Sequence, residues 1–163
     1  MKFASFIPLI LSQAAKADPL PEMHFLFAVE SQKSPLSTDN EPLRDAYFAQ
    51  DDMLAVADGG ASNWTVEGLD TARYANELAQ QICSTYSEDK KQSLKDVLIA
   101  AAKRNTVWGS STAVVVKFDE KDNRKLRTVV LGDAGYILLR PKADSFEVMY
   151  ESKPQYHSFD FPF

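Results

Sequence analysis

Two aspartates in this sequence lie at the end of an apolar run and have glycines beside them. Asp58 comes after the apolar residues 53–57 and before two glycines, and Asp133 lies in the Leu-Gly-Asp-Ala-Gly segment at 131–135. The runs predict buried strands, and the glycines permit a sharp change of backbone direction. Carboxylates at the end of a sheet would face a cleft, where Mg²⁺ or Mn²⁺ takes oxygen ligands, including a glycine carbonyl. A plain Asp-Gly turn explains the same pattern, so both interpretations stay open on these residues alone.

The composition is typical of a single globular domain. The 163 residues are 45% hydrophobic and 25% charged, which are ordinary values for a chain with one packed core. With 23 acidic against 18 basic residues the net charge is -5, so we expect no nucleic-acid partner. Cys83 is the single cysteine, which excludes an internal disulfide, and its place in an apolar helical pattern predicts a packed thiol.

The N-terminal segment 1–21 differs from the remainder, 22–163, which we take as one domain. An apolar run at 3–11 and small residues at 15–17 weakly resemble a secretory signal peptide. The run is too short to span a bilayer, so no transmembrane segment is expected. A targeting role and a plain structural role both stay open for this segment.

Two paired strands are expected to bring a second carboxylate beside Asp58. Residues from Asp45 onward enter a strand that pairs with 53–57 through the polar turn 50–52, so Asp45 and Asp58 should converge. Upstream, the segment 23–29 predicts another strand, and the polar segment 30–43 predicts a loop.

Helices and further strands follow along the chain. Asp70 is a good N-cap for a helix over 71–86, and a second helix over 93–104 has the same apolar spacing, so the two are expected to pack as a pair. The pattern then predicts an antiparallel meander of four strands, at 112–118, 126–131, 136–140 and 146–150.

Four motifs, in this order along the chain, resemble one known family. They read RDAYF at 44–48, VADG at 56–59, GSSTA at 109–113 and LGDAG at 131–135. Together they look like the metal-dependent protein serine/threonine phosphatases of type two C (the PPM family). The GSSTA motif, Trp64 and the tail at 155–163 are similar to the organellar branch of that family.

The resemblance implies a fold and a location. It covers the chain from about residue 23 onward and corresponds to the N-terminal half of the family's catalytic domain. The implied fold class is α+β, as a partial four-layer α-β-β-α sandwich of two antiparallel sheets flanked by helices. The branch implies a mitochondrion or another organelle as the compartment, and the signal-like N-terminus leaves secretion as the alternative.

The resemblance also implies a dinuclear Mg²⁺ or Mn²⁺ site and a phosphoprotein substrate. Asp58 matches an aspartate that bridges both ions. Gly59 matches a glycine whose carbonyl oxygen is a metal ligand, and Asp45 matches a residue that contacts metal-bound water. Asp133 matches a ligand of a weaker third metal. In such a site the ions lower the pKa of water until it attacks phosphorus, so Asp58 and Asp45 are the implied catalytic residues.

Several residues depart from the family pattern. The chain after Gly59 is one residue longer than usual, and Ala134 replaces a serine. The family's phosphate-binding arginine has no aligned counterpart, and Arg44 is only a candidate to replace it. The family domain continues for roughly another hundred residues and supplies two more ligating aspartates, so we expect an incomplete domain here. Asp144 and Asp160 are not credible replacements for them.

These departures leave three interpretations of function. The first is a serine/threonine phosphatase, as a fragment or a truncated form of a longer enzyme. The second is a catalytically inactive, phosphatase-like subunit that docks on a protein partner, and the partner would cover the open edge of the sheet. The third is a truncated gene model without a function of its own.

Overall fold

The computed structural model describes residues 25–29, 43–60, 68–122, 124–158 and 161–162. Several sequence expectations therefore lie outside the described residues. They concern the N-terminal segment 1–21, the loop at 30–42, Trp64 and Asp160.

The centre of the fold is a four-stranded antiparallel sheet in the order β1-β2-β3-β4. Its strands are β1 (Asp45–Ala49), β2 (Met53–Gly59), β3 (Ser111–Phe118) and β4 (Leu126–Leu131). The backbone N–H of Gln50 donates to the Met53 carbonyl at 2.8 Å and closes the tight turn between β1 and β2. The expected pairing of these two strands is confirmed, and the bounds of all four strands agree with the sequence to within two residues.

Two helices pack on one face of this sheet, α1 (Thr71–Glu88) and α2 (Leu94–Arg104). The Asp70 carboxylate caps α1 by accepting from the Arg73 N–H at 2.9 Å, and the Ser93 hydroxyl caps α2. Both caps satisfy amide groups that have no partner within the helix, which fixes where each helix begins. The predicted helix pair is confirmed, and neither helix of the described residues is long and apolar enough to cross a membrane.

The main core lies between the helices and alternate residues of the strands. Alanines occupy much of the sheet side, so the helix backbones can approach closely, and larger side chains fill the space from the helix side. The buried set includes Ala55, Ala57, Ala113, Val115, Leu78, Ile82 and Val97. The intervening strand residues, among them Leu54 and Phe118, face the other way and form a smaller cluster.

The predicted strand at 23–29 is wrong for its described part, because residues 25–29 form no regular strand. Phe25 is buried: its ring stacks on Phe118 with centroids 4.3 Å apart, and its N–H donates to the Asp51 carbonyl at 2.7 Å. Leu26 and Phe27 are 59% and 48% exposed. A short apolar run therefore supplies one anchoring side chain here and not a sheet strand.

The expected four-strand meander is also wrong, because the last two strands leave the sheet. β5 (Ile137–Pro141) and β6 (Phe146–Glu151) form a separate hairpin, and β7 (Tyr156–Ser158) pairs with β8 (Phe161–Pro162). The chain turns away after β4 at Gly132, whose φ of 79° is a left-handed conformation suited to glycine.

The Tyr136 hydroxyl donates to Thr128 Oγ1 at 3.1 Å, which ties the start of the hairpin to β4. Thr128 is opposite Val116, a residue of the cluster that faces away from the helices. The α+β class with antiparallel sheets is confirmed. Of the two helix layers in a complete four-layer sandwich, the described residues form one.

The position of Cys83 differs from the expected packed thiol. Cys83 is half-buried rather than buried. It lies on α1 and lines a shallow groove together with Tyr47 and Phe48 of β1. This thiol is therefore at the border of the core, because β1 is the edge strand of the sheet and leaves this face of α1 partly uncovered.

A polar network closes the end of the core farthest from Asp58. The Lys117 side chain is 1% exposed; its ammonium donates to the Lys90 carbonyl at 2.9 Å and pairs with Glu120. The Tyr86 hydroxyl donates to Asp52 at 2.8 Å, and the Lys90 ammonium donates to the same oxygen at 3.0 Å. The network joins the last turn of α1 and the start of the connector that follows it to the sheet.

The pKa of Asp52 follows from these contacts. Burial raises it, but the hydrogen bonds from Lys90 and Tyr86 together outweigh burial, so the pKa lies below the ordinary value of an aspartate. Burial and the nearby Asp52 carboxylate raise the pKa of Tyr86, which stays protonated as a donor. Ionised Asp52 therefore stabilises the folded state above the pKa of the unfolded chain, and that stability is lost as the pH falls through the folded pKa.

We predict that Asp52→Asn lowers the free energy of unfolding at pH 7 by at most about 1 kcal/mol, the range for a partly exposed ion pair. The difference from wild type should shrink as the pH falls below the ordinary pKa of an aspartate and through the lower pKa of Asp52, because the wild-type carboxylate then becomes protonated as well. Urea titrations at several pH values measure it. Asp51→Asn is the control, since Asp51 is an exposed neighbour, and its effect should be small at every pH. A loss of stability in Asp52→Asn that does not change with pH would contradict the lowered pKa of Asp52 in the folded state.

Candidate metal centre

Strand direction brings four chain segments to one end of the sheet. Because neighbouring strands in an antiparallel sheet run in opposite directions, the start of β1, the end of β2, the start of β3 and the end of β4 lie at the same end of the sheet. The register pairs Asp45 with Asp58, and Asp58 with Thr112. Directly opposed residues point to the same face, with Cβ atoms about 4.5–5.5 Å apart. The two carboxylates predicted to converge are therefore neighbours, on the face away from the helices.

The backbone around this pair is closely hydrogen-bonded. The Gly59 N–H donates to the Arg44 carbonyl at 3.0 Å, which extends the β1–β2 ladder beyond Asp45. The Ser111 hydroxyl lies 2.9 Å from the Asp58 carbonyl and 2.7 Å from the Thr112 carbonyl, both of which are acceptors. Arg44 is half-buried and precedes Asp45 at the same end of the sheet, and its role in binding phosphate stays a prediction.

Gly59 is required here because the backbone leaves no room for a side chain. A Cβ at this position would lie 2.5 Å from the Thr71 carbonyl oxygen and 2.8 Å from that of Arg44. Both obstacles are main-chain atoms, which cannot move aside as a flexible side chain can. The first residue of α1 is therefore seated directly on the strand that carries Asp58.

Asp133 lies at the same end of the sheet but farther across it. The β3–β4 ladder ends with Ala113 opposite Leu131, and Asp133 is two residues beyond, half-buried, in the turn that Gly132 begins. The Gln155 N–H donates to the Gly132 carbonyl at 2.8 Å, and the Gly132 N–H donates to the Gln155 side chain at 3.4 Å. The tail segment thus holds the Asp133 turn in place.

Sequence reasoning missed two residues that support this turn. Gln155 belongs to the tail that carried part of the family resemblance, but no local signal linked it to Gly132. The Ser152 hydroxyl accepts from the Tyr136 N–H at 2.8 Å, which fixes the chain as it leaves the turn. Both contacts join residues far apart in the sequence, and hydrophobic periodicity carries no information about them.

The donor types fit a hard divalent cation, but the set is incomplete. Asp45 and Asp58 offer carboxylate oxygens, and Gly59 follows with a backbone carbonyl, which are the ligands that Mg²⁺ and Mn²⁺ prefer. The described part of the chain contains no group of three or more His, Cys, Asp or Glu residues able to hold a metal ion. Asp144 lies in the hairpin turn, where the Lys142 N–H donates to the Ser145 carbonyl, so it belongs to another part of the molecule.

Thr112 lies directly opposite Asp58, which lies directly opposite Asp45, so the three residues form a row across the sheet. Thr112 has an unusual feature. Its side chain is buried, with 7% of the residue exposed, and its hydroxyl oxygen has no hydrogen-bond partner. Leaving a buried hydroxyl unpaired costs about 1–3 kcal/mol. The sequence placed Thr112 inside the GSSTA motif without giving it a role, because a pattern can indicate burial but not the absence of a partner.

Comparison with known proteins finds relatives that are named as protein phosphatases, although no family model matches the chain. A rice protein named probable protein phosphatase 2C BIPP2C1 is 34% identical over 122 residues, which are 72% of this chain and 20% of the rice protein. The Drosophila ananassae protein phosphatase PTC7 homologue fig is 33% identical over 119 residues, 69% of this chain and 34% of the fly protein. The chain therefore spans between 16% and 40% of the length of the curated relatives that it matches.

Solved structures agree with these relatives. The photosystem II phosphatase PBCP superposes with a TM-score of 0.61 and is 27% identical, over 73% of this chain and 46% of PBCP. The PPM Ser-Thr phosphatase MsPP from Mycobacterium smegmatis has a TM-score of 0.54 and 16% identity, over 79% of this chain and 54% of MsPP. The second match concerns the fold alone, and both cover about half of the solved phosphatase.

We predict that Gly59→Ala lowers the free energy of unfolding by about 1–3 kcal/mol, as overpacking against a fixed backbone does. Thermal or urea unfolding measures it. Gly60→Ala is the matched control, because the nearest atom to its Cβ is the Ser110 hydroxyl oxygen, at the end of a side chain that can rotate. Equal losses in the two variants would contradict the close seating of α1 on Gly59.

Proposed function

Because this chain belongs to the type 2C (PPM) family of metal-dependent protein phosphatases, we propose that it forms part of a site that hydrolyses phosphoserine and phosphothreonine in proteins. The observation that carries the proposal is the register that sets Asp45 opposite Asp58 at one end of the sheet. The relatives share this half of the domain with the chain, which supports the same use of the pair. The complete site requires carboxylates in addition to those of the described residues.

Each residue at this end of the sheet has a distinct role in the proposal. Asp58, the adjacent Gly59 carbonyl and Asp45 would hold Mg²⁺ or Mn²⁺, and Asp133 would serve a more weakly held ion. When bound, such ions lower the pKa of water and neutralise charge on a phosphoryl group. Arg44 would contribute a positive charge that draws the substrate phosphate toward the pair.

A second candidate function is a phosphatase-like subunit without activity that docks on a protein partner. The incomplete set of carboxylates in the described residues favours it, as does the apolar surface of the β5–β6 hairpin. Phe146, Val148 and Ile137 of this hairpin are 70%, 59% and 46% exposed. Large apolar side chains clustered on a surface mark a contact with another protein segment.

We expect calorimetry to show Mn²⁺ binding by the purified chain, and Asp58→Asn to weaken it by at least about tenfold, because affinity depends on ligand charge and number. Asp45→Asn should weaken binding in the same direction. Hydrolysis of p-nitrophenyl phosphate, measured in parallel, should fall with metal affinity.

Asp144→Asn is the matched control, since it removes one carboxylate from the hairpin turn and leaves the sheet end intact. Its Mn²⁺ affinity should equal that of the wild type. Equal affinity in Asp58→Asn and wild type would overturn the assigned site. A folded wild-type chain that binds no Mn²⁺ would favour the docking subunit over the enzyme.

We also propose that the chain works in a mitochondrion or another organelle, with secretion as the alternative. The similarity of the GSSTA motif and the tail to the organellar branch supports this compartment. A fluorescent fusion of the full chain should enter an organelle, and the same fusion of residues 22–163 should remain outside it. Identical distributions of the two fusions would contradict a targeting role for residues 1–21.

A further inference from the structure

Trp108 is a large apolar side chain that the fold leaves open to solvent. It lies in the connector between α2 and β3, and 61% of the residue is exposed. A Cβ added to Gly68 would lie 3.7 Å from Cε3 of the Trp108 ring, so the ring lies against the backbone of Gly68. Tryptophan is on average a well-buried residue. An exposed ring that is supported from one side presents a defined apolar surface to another molecule.

The backbone around this ring is fixed on the start of α1. The Asp70 N–H donates to the Trp108 carbonyl at 3.0 Å. Gly109 lies so close to α1 that a Cβ there would be 2.5 Å from Cβ of Tyr74. On the other side, the Asn105 side-chain amide donates to the Tyr74 carbonyl at 2.9 Å. The position of Trp108 is therefore set before any partner binds, and a rigid aromatic side chain loses little conformational entropy on binding.

The same connector leads to the end of the sheet that carries the carboxylate pair. The Gly60 N–H donates to the Ser110 carbonyl at 3.0 Å, directly beyond the β2–β3 ladder. Thr112 lies opposite Asp58. Because Thr112 is four positions after Trp108 in the sequence, their Cα atoms are at most about 14 Å apart. An extended peptide with its phosphorylated residue at the pair therefore reaches Trp108 with a residue about three to six positions away.

A contact of this kind has a use in a protein phosphatase. The phosphoryl group is common to all phosphoprotein substrates, so discrimination between them requires contacts with the residues that flank it. Tryptophan is enriched among the residues that contribute most to binding between proteins. The exposed part of an indole ring is mainly hydrocarbon, and an apolar side chain is the partner that removes most apolar surface from water.

We propose that Trp108 is a substrate-binding residue that contacts a large apolar side chain of the phosphoprotein, about three to six positions from the phosphorylated residue. This inference rests on the proposed phosphatase function. It adds to that function a specificity contact outside the metal centre. Since the contact is remote from phosphorus, it is equally strong in the ground state and the transition state, so it lowers KM and leaves kcat unchanged.

Phosphothreonine peptides that differ at one position test this contact. A single leucine is placed in turn at each position of that range, before and after phosphothreonine, and matched peptides carry alanine or lysine there. For the wild-type chain with Mn²⁺, the best leucine peptide should have a KM about tenfold below that of its alanine counterpart, the gain from burying most of a leucine side chain. In Trp108→Ala the two KM values should agree within about twofold. Trp108→Phe, which keeps a smaller ring, should show an intermediate preference.

Ile99→Ala is the matched control, since Ile99 is an apolar residue of α2 that is 42% exposed. This variant should keep the wild-type preference for leucine. Trp108→Ala should unfold within about 2 °C of wild type, as a surface substitution does. A larger fall would show that the ring serves the fold, and it would overturn the proposal.

The kinetic outcomes separate this inference from the function on which it rests. Equal KM values for leucine and alanine peptides in the wild type would overturn the inference and leave the phosphatase function intact. A preference for leucine that persists in Trp108→Ala, or a lower KM for the lysine peptide, would overturn it as well. A wild-type chain that hydrolyses neither the peptides nor p-nitrophenyl phosphate would remove the proposed function and this inference together.

Discussion

The site depends above all on the hydrogen-bonded register of β1, β2 and β3. Asp45, Asp58 and Thr112 come from distant parts of the chain, and the ladder alone makes them neighbours. A shift of one residue in either ladder would turn one side chain of this row toward the helices. The tight turn at Gln50 and the seating of α1 on Gly59 both oppose such a shift. The geometry of the site is therefore a property of backbone pairing more than of individual side chains.

Local signals were sufficient to predict much of this arrangement. Asp70 caps α1 as the sequence predicted, and Ser93, predicted as the first residue of the second helix, is the residue that caps it. The short polar turn between β1 and β2 requires that Asp45 and Asp58 approach each other. The strand at 126–131 was predicted with its observed bounds. These features depend on residues close together in the sequence, and propensity and periodicity describe such interactions well.

The features that sequence reasoning missed depend on contacts between distant residues. Phe25 belongs to an apolar run that fits a strand equally well, and its stacking on Phe118 decides its actual role. The hairpin leaves the sheet because Gly132 is left-handed and Gln155 holds it, and neither fact is visible in the alternation of apolar residues. The role of Asp45, Asp58, Gly59 and Asp133 as metal ligands stays a prediction.

The buried Lys117 network and the carboxylate pair lie at opposite ends of the same strands. Along β2, Met53 and Asp58 are five residues apart, or about 17 Å. The contacts that anchor the helix connector thus share no residue with the row of Asp45, Asp58 and Thr112. Over evolutionary time, a lineage released from selection for catalysis can accumulate substitutions in that row while the fold persists. Such a descendant retains a rigid domain that selection can then adapt to binding.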